Sequence, residues 1–102
     1  MTTKKLILQP HKSCFFCNKT YGLHLHEIFY GSANRKKSIE WGMQVWLCPD
    51  HHNMSNMGVH LNKHMDLILK RYGQKVFEET YGHDKFMEVF NKNYLGGDDD
   101  GI

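Results

Sequence analysis

At 102 residues the chain is long enough for one domain and too short for a multilayered core. Its three cysteines cannot all pair off, and no apolar run is long enough for a signal peptide or a membrane span, so the expectation is a cytoplasmic protein whose thiols are free to bind metal. The net charge of +2 understates the body: Asp98, Asp99 and Asp100 stand together in the tail GGDDDGI, and without them the chain carries +5, which suits a phosphate-rich partner.

The opening MTTKKLILQPHKS, residues 1–13, holds one apolar triplet ended by Pro10 and reads as an edge strand or a loose arm. CFFC, from Cys14 to Cys17, is a tight Cys-x-x-Cys turn. In LHLHEIF, Leu23, Leu25 and Glu27 alternate with His24, His26 and Ile28, the period of a strand with two histidines on one face, ending near Phe29. The stretch between Gly31 and Gly42 is small, polar and basic, and reads as a loop with at most a short helical turn. MQVWL is a second strand. Pro49, directly after Cys48, suits the first position of a helix that Gly58 ends or kinks.

From Val59 onward Leu61, Met65, Ile68, Tyr72 and Val76 draw one helical apolar stripe, with Lys63, Lys70, Arg71 and Lys75 off it. Gly73 inside this helix costs about 1 kcal/mol against alanine, and Gly82 terminates it. A last helix, DKFMEVFNKN, starts at a capping Asp84 and turns Phe86 and Phe90 inward. Trp41, Trp46 and the phenylalanines are core residues, and the acidic tail, residues 96–102, is read as disordered.

Cys14 and Cys17 form one pair of candidate ligands, and Cys48 with His51 forms another at the same spacing. Zinc takes four tetrahedral nitrogen or sulfur ligands, and two such pairs flanking a hairpin meet that demand. The competing reading, a redox pair with Cys48 as a small buried hydrophobe, leaves His51 unused and lacks the β-α-β surroundings of such pairs. Four protein ligands close the metal's shell, so this zinc is structural. His52, rotated by about 100° from His51 on a helix, points elsewhere. His24, His26, Glu27, Asn56 and His60 are its available companions in a pocket that would hold one divalent cation and one free base.

CFFC, LHLHEIFYGSANR, VWLCPDHH and GVH together resemble the HNH branch of the His-Me finger endonucleases, over residues 14–94. More narrowly the chain is similar to small HNH proteins of bacteriophages and prophages, including recombination-associated nucleases. The resemblance implies an α+β fold: a zinc-stapled ββα-metal core over residues 14–60 and a helical extension over 61–95, together one domain. It also implies metal-dependent hydrolysis of DNA phosphodiesters with magnesium or manganese, in a bacterial host cell, beside a recombination or packaging protein. One site per chain means that cutting both strands takes a homodimer or two encounters.

Within that resemblance His52 and His60 are the cation ligands, and His26 with Glu27 stands where the family carries a metal ligand followed by a histidine base. His26 as base with Glu27 orienting metal or water is preferred over the reverse, because an ordinary glutamate, with a pKa of about 4.3, is a weak base at pH 7; His24 is the reserve. Met43 occupies the usual place of the family's asparagine, and Asn34 is its substitute in the catalytic set. Arg35, Lys36 and Lys37 are candidate phosphate contacts, against the blander reading of a solvated loop. His11, His64 and His83 are ordinary surface residues. Two other classes remain: a non-catalytic zinc module that binds nucleic acid, and a zinc-stabilised protein-interaction adapter.

Overall fold

The structure is a computed structural model and describes residues 8, 9 and 11–95. The acidic tail and most of the N-terminal arm therefore lie outside the described residues. The order is strand β1 (His24–Glu27), helix α1 (Asn34–Glu40), strand β2 (Gln44–Leu47), the single turn α2 (Pro49–His52), the long helix α3 (Lys63–Tyr81) and helix α4 (His83–Phe90). This is a small α+β fold with a two-stranded antiparallel sheet, in which His24 pairs with Leu47, Leu25 with Trp46, His26 with Val45 and Glu27 with Gln44. Among the described residues no helix is long and apolar enough to cross a membrane.

The stretch between the strands is a helix of two turns rather than a loop. Local periodicity could not reveal it, because Ile39 is the one large apolar residue of α1 and is itself exposed. Its anchors are polar and distant in sequence. The fully buried Ser38 hydroxyl accepts from the Phe29 backbone N–H at 3.0 Å and donates to the Phe29 carbonyl at 2.7 Å, tying α1 to the chain that leaves β1. Lys37 Nζ donates to the Val89 carbonyl of α4 at 2.7 Å.

The arm's described part makes no strand; Gln9 substitutes a side chain for a backbone ladder. Its Oε1 accepts from the Trp46 N–H of β2 at 2.6 Å, and the adjoining Leu8 is buried. Helix α3 begins later than Val59, because the Asn62 side chain accepts from the Met65 N–H at 3.1 Å and caps it. Gly82, at φ 89°, ends α3 and serves directly as N-cap of α4; Asp84 sits in the first turn of α4 and does not cap it.

The buried face of α3 is also turned from the predicted stripe. Leu69, Gly73, Gln74 and Phe77 face inward, whereas Leu61, Ile68 and Tyr72 are exposed. Gly73 explains the shift. A Cβ there would lie 3.3 Å and 3.4 Å from side-chain atoms of Ile28 and 3.4 Å from Phe29, so the helix packs tightly on the residues that follow β1, with no room for a larger side chain. Gln74, which looks like a surface residue in the sequence, is fully buried and satisfied: Nε2 donates to Glu78 and to Asn93, each at 2.7 Å, and Oε1 accepts from the Tyr94 N–H at 2.7 Å.

Phe29, Phe77, Phe86 and Phe90 join the strand end to α3 and α4, with centroids from 4.5 Å for Phe29 and Phe90 to 5.8 Å for Phe77 and Phe90. Such offset and edge-to-face pairs add about 0.5–1.5 kcal/mol each beyond burial. Replacing Gly73 by leucine is expected to lower stability by about 1–3 kcal/mol through overpacking against Ile28 and Phe29, measured by thermal or urea unfolding of the metal-loaded protein. The same change at exposed Lys75 should be nearly neutral.

Candidate metal centres

The first centre grows from the Cys14–Cys17 turn. Cys14 N–H donates to the Lys19 carbonyl at 2.8 Å and Asn18, at φ 65°, returns its N–H to the Cys14 carbonyl at 2.9 Å, so the turn closes on itself. Phe15 N–H donates to the Trp46 carbonyl at 2.9 Å and docks the turn beside β2, where the chain runs on into Cys48. Cys48 is the N-cap of α2 and His51 its third residue.

These links bring Cys14, Cys17, Cys48 and His51 into one group whose ligand atoms all lie within 4.8 Å of one another. Cys17 Sγ is 3.7 Å from Cys48 Sγ, Cys14 Sγ is 3.7 Å from His51 Nδ1, and Cys48 Sγ is 3.2 Å from His51 Nδ1. A tetrahedral zinc, with Zn–S near 2.3 Å and Zn–N near 2.0–2.1 Å, has edges of about 3.8 Å between sulfurs and about 3.6 Å between sulfur and nitrogen. The donor set and its spacing therefore fit a structural metal ion. The three thiols are free of disulfides. Burial opposes ionisation of Cys14, but backbone hydrogen bonds from Cys48, Cys17 and Phe16 outweigh it and hold the thiol below its ordinary pKa, which favours the thiolate a metal needs.

The second centre begins one residue later. His52 turns away from the thiols, and with His26 and His60 it forms a separate group, again with ligand atoms within 4.8 Å. His52 Nε2 is 3.1 Å from His60 Nε2, close to the roughly 3.3 Å edge between two nitrogens on a tetrahedral ion. The ring of His26 lies 5.2 Å from that of His52 and 5.1 Å from that of His60. His24, on the same face of β1, sets Nδ1 2.9 Å from the other ring nitrogen of His52.

His26 is 3% exposed, and its Nε2 is buried without a hydrogen-bond partner. A buried polar atom left unsatisfied costs about 1–3 kcal/mol unless something binds it. Burial first, and then electrostatic repulsion from His52, His60, Lys70 and Arg35 against a protonated His26, holds its pKa down at about 3. Burial, then His60 and His24, holds that of His52 at about 4. Both imidazoles are neutral across physiological pH, with lone pairs free for a cation.

Backbone geometry brings His60 to the site. After α2 the chain doubles back: Val59 N–H donates to the His51 carbonyl and His60 N–H to the His52 carbonyl, both at 3.0 Å. Gly58 is required for that return, since a Cβ would stand 2.8 Å from the backbone carbon and oxygen of His52. The sequence marks Gly58 as a helix breaker, yet its position against His52 emerges only in three dimensions.

Other candidates are placed differently. Glu27, opposite His26 on the strand, accepts from Gln44 Nε2 at 3.2 Å, with Arg35 at 3.9 Å, and is not part of the histidine group. Asn34 opens α1, half-buried, with no hydrogen bond to a histidine. Arg35 and Lys36 are exposed on α1, whereas Lys37 is committed to Val89. Tyr30, to which sequence reasoning gave no role, lies against both His26 and His60, with ring centroids 5.8 Å and 5.2 Å away.

Compared with protein-family models, curated proteins and solved structures, the chain matches none.

Two outcomes are expected. Stripping the protein with a strong chelator should unfold it, as should Cys48→Ser, because structural zinc in small domains contributes an apparent 10–16 kcal/mol or so at pH 7; far-UV circular dichroism checks this. Gly58→Ala should keep the thiolate-bound zinc but weaken binding of a second ion about tenfold or more, read by metal titration, because it displaces the backbone that carries His52 and His60.

Proposed function

We propose that the protein is a metal-dependent DNA endonuclease of the HNH type, in which the Cys14, Cys17, Cys48 and His51 clip holds a structural zinc and the histidine group takes the catalytic cation. The observation that carries this reading is the buried His26, its Nε2 without a partner, grouped with His52 and His60 beside a separate four-ligand clip. Three imidazoles and an open position form the ligand pattern of catalytic rather than structural metal sites.

A divalent cation held there supplies positive charge for the scissile phosphate and its departing oxygen. His52 and His60 present facing Nε2 atoms as ligands, and His26 joins them as the third. A pKa of about 3 makes His26 a poor proton acceptor near neutrality, and its burial suits a ligand better than a base. His24 fixes the ring of His52 through the 2.9 Å contact between their Nδ1 atoms. Arg35 and Lys36, exposed on α1, would meet flanking phosphates in this reading. With three imidazoles and no carboxylate in the group, manganese or another transition ion suits the site better than magnesium, which prefers oxygen ligands.

One observation favours a second reading, a non-catalytic zinc module that binds nucleic acid: Glu27, which the resemblance would draw into the site, stands outside the histidine group and is bonded to Gln44. Supercoiled plasmid separates the two. The nuclease reading expects nicking with manganese, less with magnesium and none with EDTA, and a loss of about a hundredfold or more in His52→Ala and His26→Ala proteins that retain zinc. A His26→Ala protein that loses the second ion marks His26 as a ligand; one that keeps the ion but not turnover marks it as the base. Salt-sensitive DNA binding without nicking supports the binding module instead.

A further inference from the structure

The histidine site is built from β1, α2 and the loop that follows, yet one wall is supplied through α3. Tyr30, just past β1, lays its ring against His26 and His60. Its hydroxyl donates to Asp66 Oδ2 at 2.9 Å, and Lys70 Nζ reaches the same oxygen at 2.9 Å. Lys70 Nζ also lies 4.2 Å from the centroid of the Tyr30 ring. The phenol is thus held at its hydroxyl by a carboxylate and on its face by a cation, both from one turn of α3.

This arrangement is more than space-filling requires. The side chains of Asp66 and Lys70 are only 13% and 15% exposed, and the second oxygen of Asp66, Oδ1, is buried with no partner. Withdrawing such a charge pair from water costs several kcal/mol per ion before the pair's attraction is counted, and a phenylalanine would fill the same wall without it. The pair does achieve one thing a phenylalanine cannot: it fixes where the ring stands. Two of the three candidate ligands, His26 and His60, lie against that ring, and His26 has no hydrogen-bond partner at Nε2 to orient it, while His52 is already held by His24. Ligand rings must be held to within about 0.5 Å and 10–20° for tight metal binding.

We propose that Tyr30 is a positioning residue of the histidine site, pinned by Asp66 and Lys70 so that its ring holds His26 and His60 ready for a transition-metal ion. This rests on the reading of His26, His52 and His60 as a cation site.

The test is a cobalt(II) titration of protein already carrying one zinc per chain, followed by the d–d absorption of cobalt, in the parent and in Tyr30→Phe, Asp66→Ala, Asp66→Asn and the double variant Tyr30→Phe with Asp66→Ala. Zinc content and circular dichroism report that each variant is folded. The parent is expected to bind one cobalt per chain. Tyr30→Phe and Asp66→Ala each weaken it about tenfold and alter the absorption bands, the double variant is no weaker than either alone, and Asp66→Asn, which keeps an acceptor for the phenol, recovers most of the affinity. Folded Tyr30→Phe and Asp66→Ala proteins with the parent's affinity and spectrum would overturn the role of Tyr30. A parent that binds no cobalt beyond its zinc would overturn the cation site itself, a different and separately visible failure.

Discussion

Two successive imidazoles on the single turn α2 have to serve opposite sides of the chain, and most of the structure follows from that requirement. His51 faces Cys14 and Cys48, while His52 faces His26 and His60. Adjacent side chains on a helix diverge by about 100°, so whatever fixes one of them aims the other. In this chain the thiol clip does the fixing. It gathers ligands from a closed turn and from the start of α2, and the turn is docked on β2 through Phe15 and Trp46. A metal held by that clip would therefore also set the direction in which His52 points.

The clip alone does not complete the second site. His26 arrives from β1 through the strand's alternation, and His60 arrives because Gly58 allows the chain to fold back against the backbone of His52. The end of β1 is in turn held by the tight packing of Gly73 of α3 against Ile28 and Phe29, and by the aromatic cluster of Phe29, Phe77, Phe86 and Phe90. A chain of this size has few aliphatic residues to bury. Rings, a buried glutamine network and a serine that bonds twice to one residue fill the places that a larger core would give to leucine. The helical half of the molecule thus acts as a rigid back for the strand that carries His24 and His26.

Residues that act through a local pattern were legible in the sequence. The Cys-x-x-Cys and Cys-x-x-His pairs, the proline opening α2, the strand alternation of His24 and His26, and the divergence of His51 and His52 all depend on neighbours within four positions. What was illegible depends on distant partners. Helix α1 has no apolar face, and its hold comes from Ser38 on Phe29 and from Lys37 on Val89. The face of α3 was misjudged because Ile68 and Tyr72 are apolar but exposed, while a glycine and a glutamine are buried. Propensity scores Gly73 as a defect; packing makes it the contact point. Tyr30 lies against His26 and His60, but its partners Asp66 and Lys70 are far along the chain, and no spacing rule connects them.

The most direct test is anomalous diffraction from crystals of the zinc-loaded protein soaked in manganese, with data collected at both metal absorption edges. Two separate peaks are expected: zinc enclosed by Cys14, Cys17, Cys48 and His51, and manganese among His26, His52 and His60 with a coordination position open to solvent. A single metal peak at the thiolates, with the three histidines hydrogen-bonded only to one another or to water, would contradict it.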